Sequence, residues 1–136
     1  MGRSPRLKLL LDTHVWLWQL LEPDRLSTTA ADAIAANLDG LHLSPVSTWE
    51  MLLLARKGRV LLEPTAVEFV KDALRESPAI AAPLTHEIAL RSGQLQGFSS
   101  EDPADRFLVA TALEHDLVLV TRDERMRSFE PLKTLW

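Results

Sequence analysis

Short apolar runs that end on acidic residues constrain this chain most. Leu9 Leu10 Leu11 stops at Asp12, and Leu117 Val118 Leu119 Val120 Thr121 is followed within two residues by Asp123. Runs this short, rich in leucine and valine and apolar without alternation, are the pattern of strands covered on both faces, as in a parallel sheet. In an open α/β sheet the carboxyl ends of neighbouring strands share one edge, so carboxylates distant in sequence can meet there. Glu50, inside Trp49 Glu50 Met51 Leu52 Leu53 Leu54, and the pair Asp102 and Asp105 in Asp102 Pro103 Ala104 Asp105 Arg106 also mark points where the chain turns from apolar to polar. A cluster of carboxylates is a site for a hard cation.

Helical patterning fills the segments between the runs. A strand over 7–11 leads to helices over 13–21 and 28–38, the second with Ser27 as N-cap, and a second strand covers 41–44. Ser44 followed by Pro45 supplies an N-cap and a proline at the first helical position, for a helix running to the stop at Lys57 Gly58. Pro64 is expected to open a further helix ending near Ser77 Pro78, Ile80 to Leu84 forms a short strand, and Thr85 caps a helix to Leu95. After a loop from Gln96 to Glu101, Asp102 Pro103 opens a helix to His115, then come the strand 117–121 and a short last strand from Lys133 to Trp136. Strands separated throughout by helices predict an α/β fold, a mostly parallel sheet with helices on both faces. At 136 residues and 46% hydrophobic the chain suits one full core, expected over 7–136 behind a flexible leader, residues 1–6.

Charge and composition narrow the function classes. With 15 basic against 19 acidic residues and a formal net charge of −4, the chain lacks the overall basicity of a non-specific nucleic-acid binder, so any such contact is local. The absence of cysteine excludes a disulfide scaffold and a thiolate zinc site, and fits the cytoplasm. No apolar stretch reaches ten residues and Met1 to Lys8 is polar, so neither a signal peptide nor a membrane span is expected. His14, His42, His86 and His115 form no metal-ligand spacing.

Each acidic residue also has a purely structural use. Asp12, Asp102 and Asp123 all precede helical segments and suit helix N-caps, with Asp105 in a first turn where the helix dipole favours it. Glu50 is harder to dismiss. Its helical neighbours are Val46, Ser47, Leu53, Leu54 and Lys57, a largely apolar face, and an ionised carboxylate buried there needs a proton, a cation such as Lys57, or a metal. Four carboxylates in one pocket demand a cation, because two unit charges about 4 Å apart repel by roughly 4 kcal/mol at an effective dielectric near 20. Oxygen-only ligands favour Mg²⁺ or Mn²⁺, as one ion that activates water or two that also stabilise a leaving oxygen. Arg122 and Arg125, beside Asp123, are candidate phosphate contacts, whereas Arg56, Lys57 and Arg59 suit a solvated helix end. His14, two residues past Asp12, is a candidate substrate contact. The helix 13–21 is apolar nearly all round, so Trp16 and Trp18 belong either to the core or to a partner surface.

Leu9 Leu10 Leu11 Asp12 Thr13 His14, Ser47 Thr48 Trp49 Glu50, the block from Asp102 to Ala112 and Leu119 Val120 Thr121 Arg122 Asp123 together resemble the four blocks of the PIN-domain nucleases, in the order and spacing of the short VapC-type toxins. The resemblance spans Leu7 to Trp136. It implies a three-layer fold with strand order 3-2-1-4-5, a divalent-metal-dependent endoribonuclease, a homodimer and a cognate antitoxin. Asp12, Glu50, Asp105 and Asp123 match the acidic cluster, Asp102 a further acidic position, and Thr121 a small hydroxyl residue beside the last Asp, with Ser47 as a second supporting hydroxyl. Relatives often carry His or Arg just ahead of the Asp Pro x Asp Arg block, where this chain has Phe98 Ser99 Ser100 Glu101. Two other classes compete with the nuclease. An Asp-nucleophile phosphatase of the haloacid-dehalogenase type resembles a family needing a second Asp where His14 stands. An inactive PIN scaffold that only binds RNA or protein would be expected to have lost a carboxylate.

Overall fold

The computed structural model describes residues 6–136. Five parallel strands, β1 (Leu9–Leu11), β2 (Leu41–Leu43), β3 (Ile80–Ala81), β4 (Val118–Val120) and β5 (Thr134–Leu135), form one sheet in the order β3-β2-β1-β4-β5. Leu9, Leu10 and Leu11 of the central strand pair in register with Val118, Leu119 and Val120, and Leu9 and Leu10 also with Leu41 and His42. Successive side chains of a strand point to opposite faces, so an unbroken apolar strand feeds two cores. Leu9, Leu11 and Val120 join Val15 and Trp16 of α1 (Thr13–Leu21), Ala30 and Ile34 of α2 (Thr28–Ala36), Met51 of α3 (Pro45–Arg56) and Val70 of α4 (Ala66–Glu76) on one side. Leu10 and Leu119 join Leu108, Val109 and Ala112 of α6 (Pro103–His115) and Met126 of α7 (Glu124–Arg127) on the other, with α5 (His86–Ser92) packed along α6. This is the three-layer arrangement expected.

Local chemistry sets the element ends. Ser27, Ser44, Thr65 and Thr85 each accept a backbone N–H in the first turn of α2, α3, α4 and α5. The expectation that Pro64 opens α4 is corrected: the helix begins at Ala66, because Thr65 takes the N-cap and binds the Glu68 amide. The strand expected over Ile80 to Leu84 is only Ile80–Ala81, extended by one bond from the Ala82 amide to the Leu43 carbonyl. Pro83 has no N–H to carry the ladder further. The helix expected to reach Leu95 stops at Ser92, before Gly93. Residues 1–5 of the expected leader lie outside the described residues. Arg6 pairs with Asp39, and the Leu7 amide donates to Asn37 Oδ1 at 2.7 Å. No helix is long and apolar enough to cross a membrane among the described residues.

Candidate acidic active site

Asp12 leaves β1 and enters α1 at the N-cap position, yet its side chain does not cap the helix. The carboxylate turns inward instead and accepts a hydrogen bond from the Thr121 hydroxyl at 2.7 Å. It is 7% exposed. Burial pushes its pKa from 3.8 up to about 6; the Thr121 bond and His14 oppose the rise, and the charges of Asp105 and Glu50 add to it. Thr121 is itself fully buried at the end of β4, and its oxygen also accepts the Asp123 amide at 3.0 Å. One hydroxyl thus fixes the acidic residue after β1 and the backbone of the acidic residue beyond β4.

Asp105 and Asp123 are joined by a cation. Arg125, on α7, reaches Asp105 Oδ2 at 3.4 Å and Asp123 Oδ2 at 3.3 Å with one guanidinium nitrogen. Hydrogen bonding to Asp123 holds that guanidinium protonated more firmly than usual. Asp105 has its pKa raised by burial first, against a 2.8 Å hydrogen bond from Ser100 Oγ, with Asp102 and Asp123 adding to the rise and Arg125 opposing it. Asp123 also accepts the Arg125 amide as N-cap of α7. Asp102 caps α6 by accepting the Asp105 amide at 3.1 Å, so the structural use foreseen for it is the one it has.

Glu50 departs from expectation. The apolar neighbours on α3 predict a buried carboxylate, but it is half-buried, and it forms no ion pair with Lys57 or any other cation among the described residues. Water reaches it, so its charge needs no internal partner. Its proximity to Asp12 is carried by Ser47, one turn earlier on α3, whose hydroxyl shares a buried 2.8 Å hydrogen bond with Thr13 on α1. Ser47 thus ties α3 to α1, as Thr121 ties Asp12 to the end of β4. Among the described residues no three His, Cys, Asp or Glu side chains are gathered closely enough to hold an ion. In this arrangement the like charges are kept apart by Thr121, Ser100 and Arg125. The donor set is nonetheless all oxygen, with a buried acceptor-only group in Asp12, which is the chemistry Mg²⁺ and Mn²⁺ take.

Three participants escape a reading of the sequence. Thr13 is buried and pairs with Ser47, Ser100 is buried and holds Asp105, and Arg106 clamps the loop carrying Ser100 through the carbonyls of Ser92 and Ser100, both at 3.0 Å. Ser100 lies in the segment that departs from the family pattern, so that departure brings a hydroxyl to Asp105. Trp16 and Trp18 are corrected as exposed interface anchors: they are 1% and 8% exposed and lie within this chain. Trp49 is the exposed indole, at 54%.

The model of the PIN domain matches residues 9–130. The chain belongs to the PIN-domain family. It is 35% identical to Ribonuclease VapC22 of Mycobacterium tuberculosis over 120 residues, 88% of this chain and 90% of that protein. Its fold is shared with a chain of the DNA-bound VapBC of Salmonella typhimurium, at a TM-score of 0.72, 15% identity and coverage of 94% and 96% of the two chains. FitAcB of Neisseria gonorrhoeae follows the same fold at 0.63, 23% identity and 93% and 95% coverage. The acidic residues of this PIN domain lie within or beside the matched strands β1 and β4 and helices α3 and α6, all inside 9–130.

Proposed function

We propose that this PIN domain is a divalent-metal-dependent endoribonuclease and the toxin of a toxin–antitoxin pair, acting in the cytoplasm as a homodimer restrained by a cognate antitoxin. One observation carries the catalytic reading: Asp12 occupies an N-cap without capping, and is held buried and facing Glu50 and Asp105 at an energetic cost. A carboxylate serving as a cap bonds to a first-turn amide, as Asp102 does to Asp105, and Asp12 makes no such bond. Ribonuclease VapC22 and the VapBC complexes support the activity and the partner.

Asp12, Glu50, Asp105 and Asp123 are the residues that would hold Mg²⁺ or Mn²⁺, as one or two ions, with Asp102 at their margin. When bound, the metal supplies the positive charge that neutralises the cluster and activates water for in-line attack on a phosphodiester. Thr121 and Ser100 each bond one carboxylate, Asp12 and Asp105, and limit the rotamers open to them. Ser47 and Thr13 hold α3 against α1, which fixes where Glu50 stands. An antitoxin cation placed among the same carboxylates would repeat what Arg125 does here and exclude both metal and phosphate. The test is cleavage of single-stranded RNA with Mg²⁺ or Mn²⁺ by the wild type and by Asp12→Asn. The wild type cleaves and the variant, correctly folded, does not; a variant of undiminished rate overturns the reading.

A further inference from the structure

Beside Asp12 lies a cavity of about 260 Å³, lined by Asp12, His14, Val15, Trp18, Arg122 and Asp123. One wall is acidic and belongs to the site described above. The other carries an arginine, a histidine and an indole, which the carboxylate chemistry does not use.

Arg122 has unusual surroundings for its position. It follows Thr121 and precedes Asp123, and its backbone is fixed on both sides, by the Thr121 amide donating to the Leu135 carbonyl at 3.2 Å and the Asp123 amide donating to Thr121 Oγ1. Two carboxylates share the cavity with it, yet its guanidinium forms no ion pair or hydrogen bond among the described residues. It lies against the Trp18 ring, 5.8 Å from the centroid. Arg25 also lies on that indole, at 4.5 Å, but is paired with Glu22, and Arg125 is paired with Asp105 and Asp123. Among the described residues, Arg122 is thus the arginine at this site left without an anion. Its guanidinium is set over the indole at cation–π distance, and its donors are free among the described residues.

The indole itself is closed to a nucleobase. Trp18 is 8% exposed, and Trp136 meets it edge-on at 5.9 Å while the two guanidiniums lie over it. It serves as a platform for Arg122. His14, exposed and tilted against the same indole at 6.0 Å, adds a second donor at the mouth. A cavity offering a free guanidinium and an imidazole, with no open aromatic face, suits a phosphate and its sugar.

We propose that this cavity is the subsite for the sugar–phosphate unit next to the scissile phosphodiester of a single-stranded RNA, with Arg122 contacting its phosphate, His14 assisting and Trp18 as the positioning residue. The assignment rests on the ribonuclease reading of the acidic cluster. A phosphate contact fixes where the strand lies without reading its sequence, so the subsite sets register and leaves base preference to other surfaces.

The test measures anisotropy of a labelled single-stranded oligoribonucleotide in EDTA, where binding is read without metal-dependent cleavage, across a range of salt concentrations. Arg122→Ala is expected to weaken binding several-fold near 0.1 M salt and to flatten the plot of log affinity against log salt by about 0.7, the value for one phosphate contact on a single strand. Arg122→Lys restores the slope, with part of the affinity. Arg75→Ala, which removes the same charge from an Asp72 pair on α4, keeps the wild-type slope. Wild-type slope and affinity in Arg122→Ala, an equal loss in Arg75→Ala, or no RNA binding by the wild type overturns the subsite. RNA binding that depends on Arg122 in a protein that fails to cleave with Mg²⁺ or Mn²⁺ supports the subsite and overturns the nuclease reading.

Discussion

Asp12 stores instability in the metal-free chain, and the sign of its pKa shift says when. Below pH 3.8 the carboxyl is protonated in both the folded and unfolded chain and costs nothing. As pH rises from 3.8 to about 6 the unfolded chain releases its proton first, so folding loses stability on the order of 3 kcal/mol across that window and stays lower above it. Asp105, raised in the same direction, adds to the loss. Asp12→Asn keeps an oxygen to accept the Thr121 hydroxyl and has no charge to bury. In EDTA its melting temperature at pH 7 is expected to exceed that of the wild type by roughly 10 °C, with the two converging below pH 4. A variant that melts lower than the wild type at pH 7 would mean that the ionised carboxylate supports the fold.

At the scale of elements, α7 is tied to α6 by the Arg125 bridge between Asp123 and Asp105, which sets a single positive charge between two carboxylates that would hold a divalent ion. The guanidinium is half exposed, so the bridge is worth about 1 kcal/mol at most, and Arg125→Ala should leave the metal-free melting temperature nearly unchanged and tighten Mn²⁺ binding by up to about fivefold in calorimetry. An unchanged or weaker affinity would show that Arg125 does not compete with metal. The elements themselves are largely legible in the sequence: β1, β4, α3 and α6 announce themselves by unbroken apolar runs and by Ser44 Pro45 and Asp102 Pro103, because caps and prolines act within one turn of chain. What could not be read is what depends on two elements meeting. Ser100 on Asp105, Thr13 on Ser47 and Arg125 across two helices are tertiary contacts with no local signature. The pattern around Glu50 overstates its burial, since apolar neighbours at helical spacing say which face points inward and not how near the side chain lies to water. Asp12 shows the converse, because its sequence position fits a cap and only its rotamer reveals that it is not used as one.

At the scale of the whole molecule, one group of uncovered apolar side chains lies around Trp49. One cavity of about 510 Å³ between α3 and α4 includes Trp49, Leu61 and Val67 in its walls, and another of about 490 Å³ runs from Trp49 and Val46 to Leu84 and Phe107. Trp49, Leu61, Val67 and Leu84 are all exposed, whereas the two indoles of α1 are enclosed, so between these helices it is α3 that offers an open indole for self-association. An exposed indole flanked by apolar hollows on either side is the composition of an interface hot spot. Glu50 adjoins Trp49 in sequence on the same helix, which would set the acidic cluster close to such an interface. Light scattering over a range of concentrations should therefore give a dimer for the wild type and a monomer for Trp49→Asp, with helical content unchanged by circular dichroism because the side chain is exposed. A wild type that stays monomeric throughout would remove the homodimer, and a Trp49→Asp variant that remains dimeric would move the interface off α3.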